Sequence, residues 1–310
     1  MLIAIFRRKI QSIQQRAPII VHFMIKYIIM STINIHYGVS ETIGWRESME
    51  DEHAIYEKPE EGFFGAEIYD GHGGRAASRI AVEMLTAYFI HSRVRESGRS
   101  LKDRRRECDL LRDAYLAVDG HLMERKIRCG TTAAHLYIMK DRFMVANTGD
   151  TRVMIGTKGN VVVLTVDHKP DLTAETKRIE ELGGEVIRIG VPRVQGILAV
   201  SRALGDLPLK PYVIAEPRIV EGYLGKENDY AVLACDGVWD VLTPEDVMEE
   251  VRRLEDPQKG ADKLAKKALD QGSTDNITVI VIDLREYTGS MRRNAMKITA
   301  IADYGAEGEG

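Results

Sequence analysis

The chain has 310 residues, 44% hydrophobic and 29% charged, enough to bury one large core or two small ones. Its formal net charge of −4 excludes a global pull toward nucleic acid or anionic lipid. Cys108, Cys129 and Cys235 lie far apart without C-x-x-C spacing, which argues against a disulfide framework or a zinc site and fits a reducing compartment.

In chain order, residues 1–35 come first as a basic and apolar extension. The first 40 residues contain no Asp or Glu, and Arg7, Arg8, Lys9, Arg16 and Lys26 give a positive bias. The apolar run 19–30 is broken by His22 and Lys26 and falls short of the roughly 20 residues that cross a bilayer. A loosely docked extension, or an effective start at Met30, is preferred over an organelle presequence. The expected location is accordingly cytoplasmic, nuclear or both.

From about residue 36 the pattern becomes regular. Strand-like runs are HYGVS (36–40), HAIYE, FFGAEIY (63–69), AAHLYIM (133–139), RFMVANT (142–148), RVMIGT (152–157), VVVLTV (161–166), YAVLAC (230–235) and NITVIVIDL (276–284). Helical periodicity appears at about 75–92, 104–126, 174–182, 244–254 and 260–270. Thr243-Pro244-Glu245-Asp246 reads as a helix start, and Gly183 and Gly272 stand where helix C-caps belong. Strands cluster in the middle without strict βα alternation, which favours antiparallel sheets covered by helices, an α+β arrangement. The tail, 285–310, lacks periodicity and reads as flexible.

The stretch EIYDGHGGRAA (67–77) raises a choice between a phosphate-cradling glycine loop and a site built on Asp70. It satisfies G-x-G-x-x-A, but no second strand ending in an acid follows at the spacing a dinucleotide site needs. Asp70 would also repel a pyrophosphate. Other acids share its placement. Asp236 and Asp240 sit in DGVWD after a strand, Asp150 follows RFMVANTG, and Asp275 and the pair Glu50-Asp51 each precede a strand. One such Asp is ordinarily a turn former. Five such places, crowded at one sheet end, would need cations, and hard oxygen ligands select Mg²⁺, Mn²⁺ or Ca²⁺. A C-x5-R phosphatase loop is excluded, because Ala114, His135 and Val241 occupy the arginine positions.

YGVSETIGWRESMEDEH, IYDGHGG, CGTTA, ANTGDTR, DHKP, RIEELGG, RVQGILAVSRALGD, ACDGVWDV and GSTDNITVIVI resemble, in order, the motifs of the metal-dependent protein phosphatases, the PP2C family. The resemblance covers 36–284. It implies a central sandwich of two antiparallel sheets flanked by antiparallel helix pairs, in four layers. It implies a serine/threonine protein phosphatase in which metal-activated water attacks phosphorus and no phosphoenzyme forms. The alternative is an inactive member that binds phosphoproteins as a scaffold.

The resemblance also distributes roles. Asp70 and the Gly71 carbonyl, with Asp236 and Asp275, would hold two Mn²⁺ or Mg²⁺ ions. Glu50 and Asp51 would act largely through waters on those ions, Asp150 with Asp236 would match a weaker third metal position, and Asp240 would support the site. Arg46 would clamp the substrate phosphate, and His72 would be the general acid for the leaving oxygen. Residues 167–196 would form a helical flap that influences substrate choice. Phosphoserine and phosphothreonine proteins are the implied partners, with no nucleic acid, no membrane and a monomeric chain. Two departures stand out: VPRVQG replaces the usual RVNG in the flap, and Glu67 occupies a strand position that is usually apolar.

Overall fold

The computed structural model describes residues 35–305, apart from 59–61 and 101–104. Residues 1–34 of the expected extension, and 306–310 of the expected tail, lie outside the described residues. The first half of the chain contributes β1 (His36–Thr42), β2 (Glu52–Lys58), β3 (Phe63–Tyr69), β4 (Gly71–His72), α1 (Ala76–Ser97) and α2 (Glu107–Glu124). There follow β5 (Gly130–Thr131), β6 (Ala133–Met139), β7 (Arg142–Thr148), β8 (Arg152–Thr157), β9 (Asn160–Val163), α3 (Thr173–Glu181), β10 (Val186–Ile189) and β11 (Val191–Val194). The remainder comprises β12 (Leu204–Gly205), β13 (Arg218–Tyr223), β14 (Asn228–Ala234), α4 (Asp236–Trp239), α5 (Pro244–Leu254), α6 (Pro257–Asp270), β15 (Ile277–Asp283), α7 (Arg285–Gly289) and β16 (Lys297–Asp303).

Two antiparallel sheets carry the fold, in the orders β1-β15-β14-β8-β9 and β16-β13-β7-β6-β3-β2. Alternation along the strands decides the layers. In β3, Phe64, Ala66 and Ile68 pack in the cluster that joins the two sheets, with Leu136, Ile155, Leu233 and Ile280. Phe63 and Tyr69, on the opposite face, pack with Leu85, Phe89 and Leu111 of α1 and α2. On the other sheet, Val232, Val279 and Val281 meet Val247, Val251 and Leu264 of α5 and α6. The result is the four-layer α+β sandwich that the motifs imply. Each fully buried Leu or Ile in these layers stabilises by roughly 1.5–3 kcal/mol, so the strand ends are firmly held.

The expected caps are present. The Thr243 side chain accepts from the Asp246 amide, the Asp246 carboxylate reaches back to the Thr243 amide, and Pro244 opens α5. Gly183 and Gly272, just past α3 and α6, have φ of +81° and +92°.

Three expectations are corrected. The 167–196 segment is only partly helical, with α3 followed by the β10–β11 hairpin. The strand at 161–166 ends at Val163, and Thr165 instead accepts a hydrogen bond from the Val153 amide. The tail is not free beyond 285: α7 forms, and β16 pairs with β13 along the sheet edge. Edge pairing uses backbone groups, and β16 stays mostly exposed, so it needs no buried apolar face. Side chains fasten this tail as well. Asp303 accepts from the buried Arg202 guanidinium at 2.7 Å, and the Tyr304 hydroxyl donates to Asp109 at 2.7 Å. Among the described residues, no helix is long and apolar enough to cross a membrane.

Glu67 finds partners in the core. It is fully buried facing α1 and α2, and its Oε2 accepts from Tyr69 at 2.5 Å and Thr86 at 2.9 Å. His135 Nε2 lies 2.9 Å from the same oxygen, and Tyr115 closes the network on His135 Nδ1. Deleting one member of such a network strands the others without water. Glu67→Ala should therefore lower urea-unfolding stability by about 3–5 kcal/mol, whereas a loss under about 1 kcal/mol would show that the network contributes little.

Candidate active site

Antiparallel pairing brings five chain segments to one end of the sandwich. β3 and β7 end there and β2 begins there, while in the facing sheet β14 ends where β15 begins. Asp70 thus follows β3, Asp150 follows β7 and Asp236 follows β14, while Asp51 and Asp275 precede β2 and β15. Carboxylate oxygens of Asp70, Asp150 and Asp236 all lie within 4.8 Å of one another. Atoms of Asp51, Asp70 and Cys235 converge equally closely. Asp70, Asp150 and Asp236 line a cleft of about 920 Å³ whose walls include Arg46, His72, Pro192 and Leu198.

Two glycines let backbone approach this cluster. A Cβ on Gly71 would lie 2.4 Å from the Glu50 carbonyl oxygen, and one on Gly237 would lie 2.1 Å from the Asn276 carbonyl oxygen. Thr132 fixes the end of β3 from both sides. Its amide donates to the Asp70 carbonyl at 2.8 Å, and its hydroxyl accepts from the Asp70 amide at 3.2 Å. Asn276 ties in the Arg46 loop, donating to the carbonyls of Ile43 and Ser48 and accepting from the Glu50 amide.

The electrostatics follow from crowding. Burial pushes Asp70 well above the ordinary carboxylate range, and the charges of Asp236, Asp51, Asp150 and Asp275 add to it. Asp236 is raised in the same way, by burial first and then by Asp150, Asp240 and Asp275, against the opposing Lys169. Burial brings Asp51 to about 6, in spite of the hydrogen bond from Thr278. The second oxygen of Asp51, Oδ1, is buried without a partner. Crowded hard oxygens with an orphaned lone pair suit a hard divalent cation, so the residues present fit the metal that the motifs imply.

The sequence-derived site residues occupy this cleft, with differences in detail. Asp70, Gly71, Asp236, Asp275, Glu50, Asp150 and Asp240 line it, and Asp51 is buried beneath. Arg46 pairs with Asp275 at 2.5 Å through one guanidinium nitrogen, Nη2. Glu50 accepts from the Gly74 amide and from Ser48. Asp150 is paired with the Lys169 ammonium. His72 Nε2 lies 2.8 Å from Asp206 Oδ2. Lys169, Asp206, Asn276 and Thr132 are residues of this site that sequence reasoning did not single out. Each stands inside a quoted motif (DHKP, ALGD, STDN, CGTTA), but its partner is remote in the chain.

A helix-covered sandwich with carboxylates clustered at one end of its sheets, beside a cleft, suits a hydrolase, and the protein phosphatases are the class whose family model the chain matches. A family model described as Protein phosphatase 2C matches residues 35–277, and the chain belongs to that family. It is 37% identical over 264 residues to "Probable protein phosphatase 2C 45" of Oryza sativa subsp. japonica, covering 82% of this chain and 89% of that one. It is 38% identical over 257 residues to "Probable protein phosphatase 2C 11" of Arabidopsis thaliana, covering 81% and 67%. Among solved structures, "Structure of a C.elegans sex determining protein" matches with TM-score 0.74 and 28% identity, over 82% of this chain and 65% of that one. A serine-threonine phosphatase 2C from Toxoplasma gondii has the same fold, with TM-score 0.69 and 22% identity over 82% and 96%.

The raised carboxylates make cation binding and pH interdependent. A carboxyl whose folded pKa exceeds its unfolded value stabilises fully below the unfolded value and loses that contribution as pH rises through the folded one. For Asp51 the window runs from 3.8 to about 6, and Asp70 and Asp236 extend it upward. Cations replace the lost protons. The rise in thermal midpoint that Mg²⁺ or Mn²⁺ produces over EDTA should therefore be larger at about pH 7.5 than at about pH 5.5, in differential scanning fluorimetry. A cation effect that is absent, or equal at both pH values, would contradict this electrostatic account.

Proposed function

We propose that the protein hydrolyses phosphoserine and phosphothreonine esters of proteins with two Mg²⁺ or Mn²⁺ ions held in the cleft. The observation that carries this reading is the convergence of the Asp70, Asp150 and Asp236 carboxylates in one cleft with Arg46 and His72. Asp70 and the Gly71 carbonyl would share the ions with Asp236 and Asp275, with Glu50 and Asp51 behind them and Asp150 and Asp240 at a weaker third position. When bound, the cations supply positive charge for the phosphoryl oxygens and acidify the water that attacks phosphorus.

The chain's own groups perform the rest. Arg46 stands at the cleft mouth with one guanidinium nitrogen on Asp275, so its remaining N–H groups can reach a phosphate. His72, on the cleft wall, donates a proton to the departing seryl or threonyl oxygen. Because the attacking group is water, no protein side chain becomes phosphorylated. The complete carboxylate set, which a scaffold-only member would not need, supports the catalytic reading.

Hydrolysis of a phosphothreonine peptide should require added Mn²⁺ or Mg²⁺ and stop in EDTA. Asp236→Asn should lower kcat by about 10²-fold or more while circular dichroism remains native. Undiminished turnover by that variant, or in EDTA, would defeat the reading. His72→Gln should slow the peptide far more than p-nitrophenyl phosphate, whose leaving group needs little protonation. Equal slowing would remove His72 from the acid role.

A further inference from the structure

His72 belongs to a small three-stranded sheet at the cleft edge, ordered β12-β5-β4. Its register sets His72 opposite Gly130 and Gly130 opposite Gly205. Asp206, the residue after β12, is thereby delivered to the imidazole. Its Oδ2 lies 2.8 Å from His72 Nε2, and its side chain is 7% exposed against 26% for the histidine. Gly130 makes the meeting possible. A Cβ there would stand 2.0 Å from Asp206 Oδ2 and 2.5 Å from His72 Nε2.

Asp206 is itself held in place. Its φ of +53° is left-handed, a conformation that Asp tolerates better than most residues. Its amide donates to the Cys129 carbonyl at 3.1 Å, and its carbonyl accepts from the Leu209 amide at 2.8 Å. The preceding Gly205 amide donates to Asp119 at 2.8 Å, and Lys210 bonds both Asp119 oxygens at 3.0 Å. A short loop thus has two anchors, and the carboxylate between them points at one ring nitrogen. Among the described residues, His72 Nδ1 makes no protein hydrogen bond.

We propose that Asp206 is the positioning residue of His72, holding the ring through Nε2 so that Nδ1 delivers the proton to the leaving oxygen. The proposal rests on the reading of His72 as general acid. As the water oxygen bonds to phosphorus, the bond from phosphorus to the seryl or threonyl oxygen breaks. That oxygen takes the Nδ1 proton of the imidazolium. The ring is left neutral with its other proton on Nε2, donated to Asp206, and the proton shed by the attacking water returns to Nδ1 through solvent. A ring free to rotate, or with its neutral proton on Nδ1, would have to reorganise at each turnover, which is the cost that a fixed carboxylate removes.

The test compares the full chain, Asp206→Asn, His72→Gln and the double variant, each with Mn²⁺, on a phosphothreonine peptide and on p-nitrophenyl phosphate. Asp206→Asn should lower kcat on the peptide by about 10-fold or more with KM unchanged, and p-nitrophenyl phosphate by less than about 3-fold. The double variant should be no slower than His72→Gln alone, because the two groups act as a unit. Equal losses on both substrates, or single losses that multiply in the double variant, would overturn the proposal.

Nitrogen-15 NMR gives a readout that does not depend on turnover. The neutral His72 ring should carry its proton on Nε2 in the full chain. In Asp206→Asn, where the carboxamide can donate or accept, it should become a mixture. The same tautomer distribution in both proteins would overturn the proposal. If His72→Gln slows both substrates equally, the acid reading fails and proton delivery with it, while the tautomer still decides whether Asp206 orients the ring. Should Asp206→Asn not fold by circular dichroism, Gly130→Ala presses on the same contact and should give the same substrate-selective loss.

Discussion

The site depends on a repulsion that the fold prevents from relaxing. Asp70, Asp150 and Asp236 bring their carboxylates within 4.8 Å of one another, with Asp51 buried behind and Asp275 alongside. Left to themselves, such charges would separate or protonate. They cannot separate, because each stands one or two residues from the end of a strand whose apolar side chains are locked between the sheets or under the helices. The binding energy for a cation is in this sense stored in the packing of the sandwich. Internal cations answer part of the charge: Lys169 on Asp150 and Arg46 on Asp275. Asp70 and Asp236, at the centre, make no ion pair among the described residues and are the carboxylates that burial and crowding raise most.

Contacts remote in sequence hold the rim of the cleft to this centre. Asn276, beside Asp275, fastens the loop that carries Arg46 and Glu50. The three-stranded sheet of β4, β5 and β12 fastens His72 and supplies Asp206. The flap is docked by its own buried charges. Burial would raise Glu175, but hydrogen bonding and charge from Arg202, with Arg178, hold it down at about 2. Arg202 also grips Asp303 at the end of the edge strand, so flap and C-terminal segment share one guanidinium.

The strands that build the core were legible because both of their faces are buried. β3, β6, β7 and β8 coincide with apolar runs bounded by turn residues. β10, β11 and β16 are short hairpin or edge strands whose apolar residues stay largely exposed, so no buried face marked them in the sequence. The carboxylates were legible as acids at strand ends, and their order within nine motifs carried the family resemblance. What could not be read was who meets whom. Glu67 found His135, Tyr69 and Thr86 through pairing of β3 with β6 and packing of α1. His72 met Asp206 only through the three-stranded sheet, and Arg46 met Asp275 across 229 residues of chain. Spacing along a sequence carries no signal for such meetings.

Direct counting of bound cations tests the central claim, that crowded carboxylates at the sandwich end bind divalent metal. Electron paramagnetic resonance of Mn²⁺ titrated into the full chain reads free ion as bound ion loses its signal. The account predicts two ions taken up per chain, with uptake sharply reduced in Asp70→Asn, the residue at the centre of the cluster. A free-ion signal that protein leaves undiminished, or uptake unchanged in Asp70→Asn, would contradict it.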